Sequence, residues 1–327
     1  MDVTAFTKVL VQGRDAYALP DRLTANRMPQ KDGSITLTHM LNRRGRIELE
    51  TTIVRLKAES YYLVCAAFFE QRLLDHLAQH RAGEQVEITS VSQDWAALSL
   101  NGPRARDVLR AVTTARLDDA SFRWLSAQQV DLAGHSVWAL RMSYAGELGW
   151  ELHMPYAAAR DVYTALWSAG APYGIADYGS FAMNVMRMEK GFKGAGELTN
   201  EVTLAEADVM RFARTDKQYL GRDATLNSDV PWICAYLEIA PDGQIDGHGG
   251  EAVLWQGRVV GSTASVVFGH TVQKILAFAY IKPEAAIPGT ELDVVIHGVA
   301  RPAKVLGAPA YDPESRKPRA DAVAEPA

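Results

Sequence analysis

The chain has 327 residues, 48% apolar and 22% charged, with a formal net charge of −5. That is enough apolar material for two or three packed domains rather than one core, and the ordinary proportions exclude a disordered chain, leaving disorder to the ends. The acidic balance argues against a nucleic-acid or membrane-surface binder, which needs a basic face.

No run approaches the roughly 18 apolar residues of a transmembrane helix. The opening MDVTAFTKVLVQGRD puts charges where a signal peptide has its apolar centre. Cys65 and Cys234 each sit in an apolar strand-like run. They read as buried free thiols of a reduced, cytoplasmic protein, with no disulfide framework or zinc spacing.

In chain order, the β-branched and aromatic runs Ile35 to His39, Thr51 to Leu56 and Tyr61 to Ala66 predict strands. A helix follows from Phe69 to His80, with Phe69, Leu73 and Leu77 on one face. Gln85 to Val91 and Trp95 to Leu100 read as strands, and Pro103 starts a helix that runs through Val108, Leu109 and Val112. Val137 to Tyr144 and Trp150 to His153 predict a hairpin turning on Gly146 and Gly149. Pro155 opens a helix with Val162, Leu166 and Trp167 inward and Gly170 as its C-cap. Asp177 is placed to cap a helix from Tyr178 to Lys190, ended by Gly191. From about Pro231 the character changes. Trp232 to Ile239, Arg258 to Gly261, Ser262 to Phe268, Ala277 to Ile281, Leu292 to His297 and Ala303 to Leu306 are strand-like, as in a small β-barrel or sandwich. Asp312 to Ala327 reads as a loose polar tail.

Several familiar motifs are missing. Gly194-Ala195-Gly196 lacks the third glycine of a dinucleotide fingerprint, and neither a P-loop nor a G-x-S-x-G elbow occurs. His76 and His80 have metal spacing on a helix, but without a third ligand they read as polar residues on an exposed face, and no metal site is predicted. Arg43, Arg44 and Arg46 in one turn read as a solvated loop, with an anion site the lesser alternative.

Three segments carry more chemistry. In Ser143-Tyr144-Ala145-Gly146-Glu147-Leu148-Gly149-Trp150-Glu151-Leu152, a tight hairpin brings Tyr144 near Trp150 and Glu151. A carboxylate so placed can accept two parallel hydrogen bonds from a flat heterocycle with adjacent N–H donors, such as a pterin. On spacing alone a hairpin with a surface glutamate is the commoner explanation. Arg187, embedded among Val185, Met186 and Met188, is either paired or snorkelling; the functional alternative aims it at a ligand or at Glu151. Period-two counting puts Glu48, Glu50 and Thr52 on one strand face and Leu49, Thr51 and Ile53 on the other. A carboxylate there is either a base beside a reacting amine or a solvent-facing residue.

Together, these segments resemble the glycine-cleavage T-protein (aminomethyltransferase) family, with the closest likeness to the folate-binding half of bacterial dimethylglycine and sarcosine dehydrogenases. The stretches that carry the likeness are His39 through Val54, Asn101 to Leu109, Ser143 to Leu152, Arg187 to Gly191, Tyr219 to Ala224, the last barrel, and Tyr311-Asp312-Pro313. The resemblance implies an α+β cloverleaf of about three domains: two interleaved subdomains with antiparallel sheets in 1–228, a small β-barrel in 229–311, and a flexible tail in 312–327. It implies tetrahydrofolate as cofactor, Tyr144, Glu151 and Arg187 as its binding residues, and Glu50 as the catalytic acid beside the reacting amine.

The resemblance also implies a transfer that captures a methylamine- or formaldehyde-derived carbon as methylene-tetrahydrofolate. Alternatives are a folate-binding regulatory module, a folate-dependent demethylase and an inactive scaffold. The sequence departs from the family pattern in three places: Glu50 stands for the usual aspartate, Cys65 for an asparagine of true T-proteins, and Leu204 for a proline. The late start of the likeness implies a shortened or split chain. With no flavin or nicotinamide motif here, a separate flavin dehydrogenase subunit is the expected partner, beside the small-molecule carbon donor.

Overall fold

The computed structural model describes residues 1–241 and 247–319. Its elements run β1 (Thr7–Gln12), α1 (Ala18–Leu23), β2 (Ile35–Leu41), β3 (Ile47–Lys57), β4 (Ser60–Cys65), α2 (Glu70–Gln79), β5 (Glu87–Ser90), β6 (Trp95–Asn101) and α3 (Ala105–Arg110). Then come β7 (Ala127–Leu132), β8 (His135–Leu140), β9 (Gly149–Pro155), α4 (Ala159–Gly170), α5 (Ser180–Glu189) and α6 (Arg222–Leu226). The last are β10 (Ile233–Ile239), β11 (Ala252–Trp255), β12 (Arg258–Gly269), β13 (Lys274–Ile281), β14 (Glu291–Ile296) and β15 (Val299–Leu306).

The strands form three antiparallel units: a five-stranded sheet in the order β2-β3-β4-β1-β5, a four-stranded sheet β6-β9-β8-β7, and a closed barrel β10-β13-β12-β11-β14-β15. This is the mixed α/β architecture expected from the sequence, with a C-terminal barrel whose closure removes exposed strand edges.

The five-stranded sheet is covered on both faces, and strand alternation sorts its side chains between them. Leu49, Ile53, Tyr61, Leu63 and Cys65 pack with Leu73 and Leu77 of α2. Val54, Tyr62 and Val64 point the other way, against Leu140 and Trp138 of the four-stranded sheet. That sheet sends Trp150, Leu152 and Met154 outward beneath α3 and α4. The intervening residues Glu151 and His153 therefore face the five-stranded sheet. Both cysteines are buried free thiols, and burial pushes each up to about 12.

The hairpin departs from expectation. β8 ends at Leu140, opposite Glu151, and residues 141–148 form a long connection rather than a tight turn. The reason is Arg141. Its main chain leaves β9 to bond Leu125 and Ser126, while its fully buried guanidinium pairs with Asp119 and lies over Trp150. Of the two glycines, only Gly146 has a left-handed φ, +78°; Gly149 is required because a Cβ there would meet Asn101 Oδ1 at 2.0 Å.

Other local expectations need correction. Gly170 is helical, and the left-handed residue is Gly174, after one further 3-10 turn. Gly179, not Asp177, precedes α5; Asp177 instead accepts a hydrogen bond from Tyr163. Trp167 lies on the outer side of α4 and is exposed. The two short strands expected over 258–268 are one bulged strand. The predicted tail begins as packed structure: Asp312 pairs with buried Lys190, and Tyr311 donates to Glu147. Its remainder, 320–327, lies outside the described residues. Among the described residues no helix is long and apolar enough to cross a membrane.

Candidate functional site

Glu151 sits in the middle of the four-stranded sheet, with Ser99 and Leu140 as its neighbours on either side. Only 6% of it is exposed. Among the described residues its carboxylate has one hydrogen-bonding partner, His153, whose Nε2 lies 3.2 Å from Oε2. His153 Nδ1 in turn lies 2.9 Å from the Tyr62 hydroxyl, so this chain crosses from one sheet to the other. Burial and the Glu151 charge push the Tyr62 phenol well above its ordinary value, so it keeps its proton. Beside Glu151, Asn101 Nδ2 donates to Ser99 Oγ and to the Tyr178 hydroxyl, each at 2.6 Å. Asn101 Oδ1 is buried and accepts no hydrogen bond among the described residues.

Arg187 belongs to a second cluster. Near the end of α5 and 5% exposed, it pairs with the wholly buried Glu197 at 2.8 Å. Its other donors reach Asn184 Oδ1, the Phe192 carbonyl and Ser265 Oγ of the barrel. Glu197 also accepts from Gly194 N and from Ser265. The expected alternative in which Arg187 turns to Glu151 is therefore corrected. Among the described residues no hydrogen bond or ion pair joins Glu151 to Arg187 or Tyr144.

Tyr144 does meet the arginine cluster. It donates to the Lys193 carbonyl at 3.0 Å and stacks on Phe192 with ring centroids 6.0 Å apart. A Cβ on Gly194 would lie 2.7 Å from its hydroxyl and 3.8 Å from the Arg187 guanidinium carbon. Burial raises the Tyr144 phenol, Arg187 opposes this, and Glu50 and Glu197 add to it. Glu50 is thus within electrostatic reach of Tyr144.

Glu50 lies on β3 opposite His39, whose Nε2 is 3.5 Å away. The glutamate side chain is 30% exposed, while the imidazole is fully buried and makes no hydrogen bond among the described residues. Pairing of Thr52 with Val64 and of Val54 with Tyr62 puts Glu50 on the same sheet face as Tyr62. That face is the one Glu151 approaches. The four predicted residues therefore divide into Tyr144 with Arg187, Glu151 with the inter-sheet chain, and Glu50 on the face between.

His76 is buried rather than exposed; burial, with help from His80, lowers its pKa to about 4. Arg43 and Arg44 line an open cleft together with Glu48, Arg72 and both histidines. Among the described residues no group of three or more His, Cys, Asp or Glu is arranged to hold a metal.

Residues 1–217 match the GCVT N-terminal domain, and residues 234–312 match the glycine cleavage T-protein C-terminal barrel domain. The chain belongs to the glycine cleavage T-protein family. It is similar to mitochondrial dimethylglycine dehydrogenase of Mus musculus, with 32% identity over 94% of this chain and 36% of that protein. It is also similar to a probable aminomethyltransferase of Thermococcus kodakarensis, at 27% identity over 96% of this chain and 86% of the relative. The chain thus spans little more than a third of the dehydrogenase. The solved aminomethyltransferase T of Bartonella henselae superposes with a TM-score of 0.85 over 95% of this chain and 86% of that one; at 21% identity this shows the shared fold.

Tyr62, His153 and Glu197 were not singled out from the sequence. A signal existed for Glu197, because an arginine buried in an apolar helix demands a carboxylate. Nothing local marked Tyr62 or His153, which meet only when two sheets pack.

Proposed function

We propose that this chain binds tetrahydrofolate and transfers a one-carbon unit to it, capturing a methylamine- or formaldehyde-derived carbon as methylene-tetrahydrofolate. The observation that carries this reading is Glu151: a carboxylate buried at the junction of two sheets that, among the described residues, pairs with no lysine or arginine and has His153 as its one hydrogen-bonding partner. Such a group needs donors. The pterin edge of tetrahydrofolate offers adjacent N–H groups, and the unpartnered Asn101 Oδ1 nearby suits a further donor.

In this reading Glu151 holds the pterin, and Tyr144 walls the site with its hydroxyl fixed on Lys193. Arg187 keeps that wall in place through Glu197 and Gly194. Glu50 takes up or holds a proton near the folate amine, and its partial exposure lets that proton leave to solvent. Tetrahydrofolate supplies the nitrogen that accepts the carbon; the protein contributes mainly position. The carbon donor is produced by a separate flavin dehydrogenase acting on dimethylglycine- or sarcosine-type substrates, in keeping with the similarity to mitochondrial dimethylglycine dehydrogenase.

Calorimetric titration with tetrahydrofolate tests the reading. Wild type binds, and Glu151→Ala weakens binding about ten-fold or more, since a charged contact contributes about 1.5 to 3 kcal/mol. Equal affinity in the two proteins refutes it.

A further inference from the structure

We infer that His153 and Tyr62 are positioning residues for Glu151: a fixed-tautomer relay, Tyr62 O–H to His153 Nδ1 and His153 Nε2–H to Glu151 Oε2, holds the carboxylate ready for ligand. This rests on the folate reading above and adds the device that sets its specificity for a donor edge.

One proton arrangement gives all three groups a partner while the imidazole is neutral. The Tyr62 hydroxyl is buried, and its one hydrogen-bonding partner among the described residues is His153 Nδ1, 2.9 Å away. Its proton therefore goes to Nδ1, and a neutral imidazole must then carry its own proton on Nε2. That proton points at Glu151 Oε2, 3.2 Å away. The two rings are held by packing: Tyr62 meets His153 edge-on at 5.5 Å and leans on Trp95, also at 5.5 Å. His153 and Tyr62 are fully buried, and the backbones of β9 and β4 fix their origins in two different sheets.

The consequence is chemical. In this arrangement Glu151 receives one N–H from an uncharged ring and, among the described residues, pairs with no lysine or arginine, so its carboxylate stays open to a ligand's donors. A lysine or arginine at 153 would neutralise it and compete with the ligand. The relay also ties the ligand-holding carboxylate to the inter-sheet contact, so the site exists only when the two sheets are docked.

The test uses the full chain with tetrahydrofolate as the probe, measured by calorimetry for wild type, Tyr62→Phe, His153→Leu, His153→Gln and Glu151→Gln. We expect His153→Leu to weaken binding about ten-fold and Tyr62→Phe about three-fold. His153→Gln, whose amide can donate from the Nε2 position, should return affinity to within about three-fold of wild type. Nitrogen-15 spectra of the histidines should show the Nε2–H tautomer for His153 in wild type. Wild-type affinity in both His153→Leu and Tyr62→Phe, alongside lost binding in Glu151→Gln, overturns the relay alone. An Nδ1–H tautomer, or a glutamine variant as weak as the leucine one, overturns it too. Undiminished binding by Glu151→Gln overturns the folate reading on which it rests.

Discussion

Removing the Glu197 carboxylate is the sharpest perturbation of the site's frame. In Glu197→Ala, the Arg187 guanidinium loses a 2.8 Å ion pair while staying 95% buried, since only 5% of the residue is exposed. Gly194 N and Ser265 Oγ lose their acceptor at the same time. Stripping one member of a buried pair costs about 3 to 5 kcal/mol, because the remaining charge stays desolvated. Arg187 keeps Asn184 Oδ1 and the Phe192 carbonyl, so the lower end, about 3 kcal/mol, is expected. In urea unfolding followed by tryptophan fluorescence, a slope of about 3 kcal/mol/M turns this into a midpoint about 1 M lower. The double variant Arg187→Met, Glu197→Leu should recover at least half the loss, because no unpaired charge remains. A single-variant loss below about 1 kcal/mol, or a double variant no better than the single, would refute the argument that the cost lies in a buried charge left without its partner.

Three further outcomes follow from the same structure. Glu50→Gln should reduce turnover about a hundred-fold or more while tetrahydrofolate affinity changes less than about three-fold, as for loss of a general base; unchanged turnover in a steady-state assay leaves the non-catalytic folate-binding module as the better account. Stability should fall as pH drops from about 6.5 towards 4, because burial, helped by His80, lowers the His76 pKa to about 4 while the unfolded chain takes up that proton first; the full effect is at most about 3 kcal/mol, and denaturation curves of His76→Gln across this range should lose that slope. Gly194→Ala should weaken tetrahydrofolate binding about ten-fold, roughly 1.4 kcal/mol, by driving a Cβ to 2.7 Å from the Tyr144 hydroxyl; wild-type affinity in calorimetry would place Tyr144 outside the site.

The architecture was legible where burial imposes a simple period. Leu73 and Leu77 on α2 and the turn-separated strands of the barrel needed no tertiary knowledge. Expectation failed where tertiary contacts override local signals. The run from Val137 to Tyr144 looks like one strand, yet a buried ion pair from Arg141 to Asp119 redirects it after Leu140. Asp177 has the chemistry of a helix cap but bonds Tyr163 instead. β7 and β11 were missed for different reasons: β7 reads AQQVDL, half polar and without a clean alternation, and β11 is only four residues, AVLW. At the site, Glu50 could be given its face by period-two counting, whereas His39 beside it could not be assigned without the register.

Arg187 shows how a residue legible in sequence can change role once its donors are counted. A guanidinium has five N–H groups. Here Nε reaches Asn184, Nη1 reaches Phe192 and Glu197, and Nη2 reaches Ser265 and the second Glu197 oxygen, the last at a long 3.5 Å. All five are engaged within the protein, so a ligand could claim one only by breaking a buried bond. The arginine is better suited to fixing the segment from Phe192 to Glu197, against which Tyr144 rests, than to gripping a pterin itself. Helix α5, the loop beyond it and the barrel strand β12 are thereby joined into one wall. The proposed folate site needs this wall, the Glu151 sheet and the Glu50 sheet together.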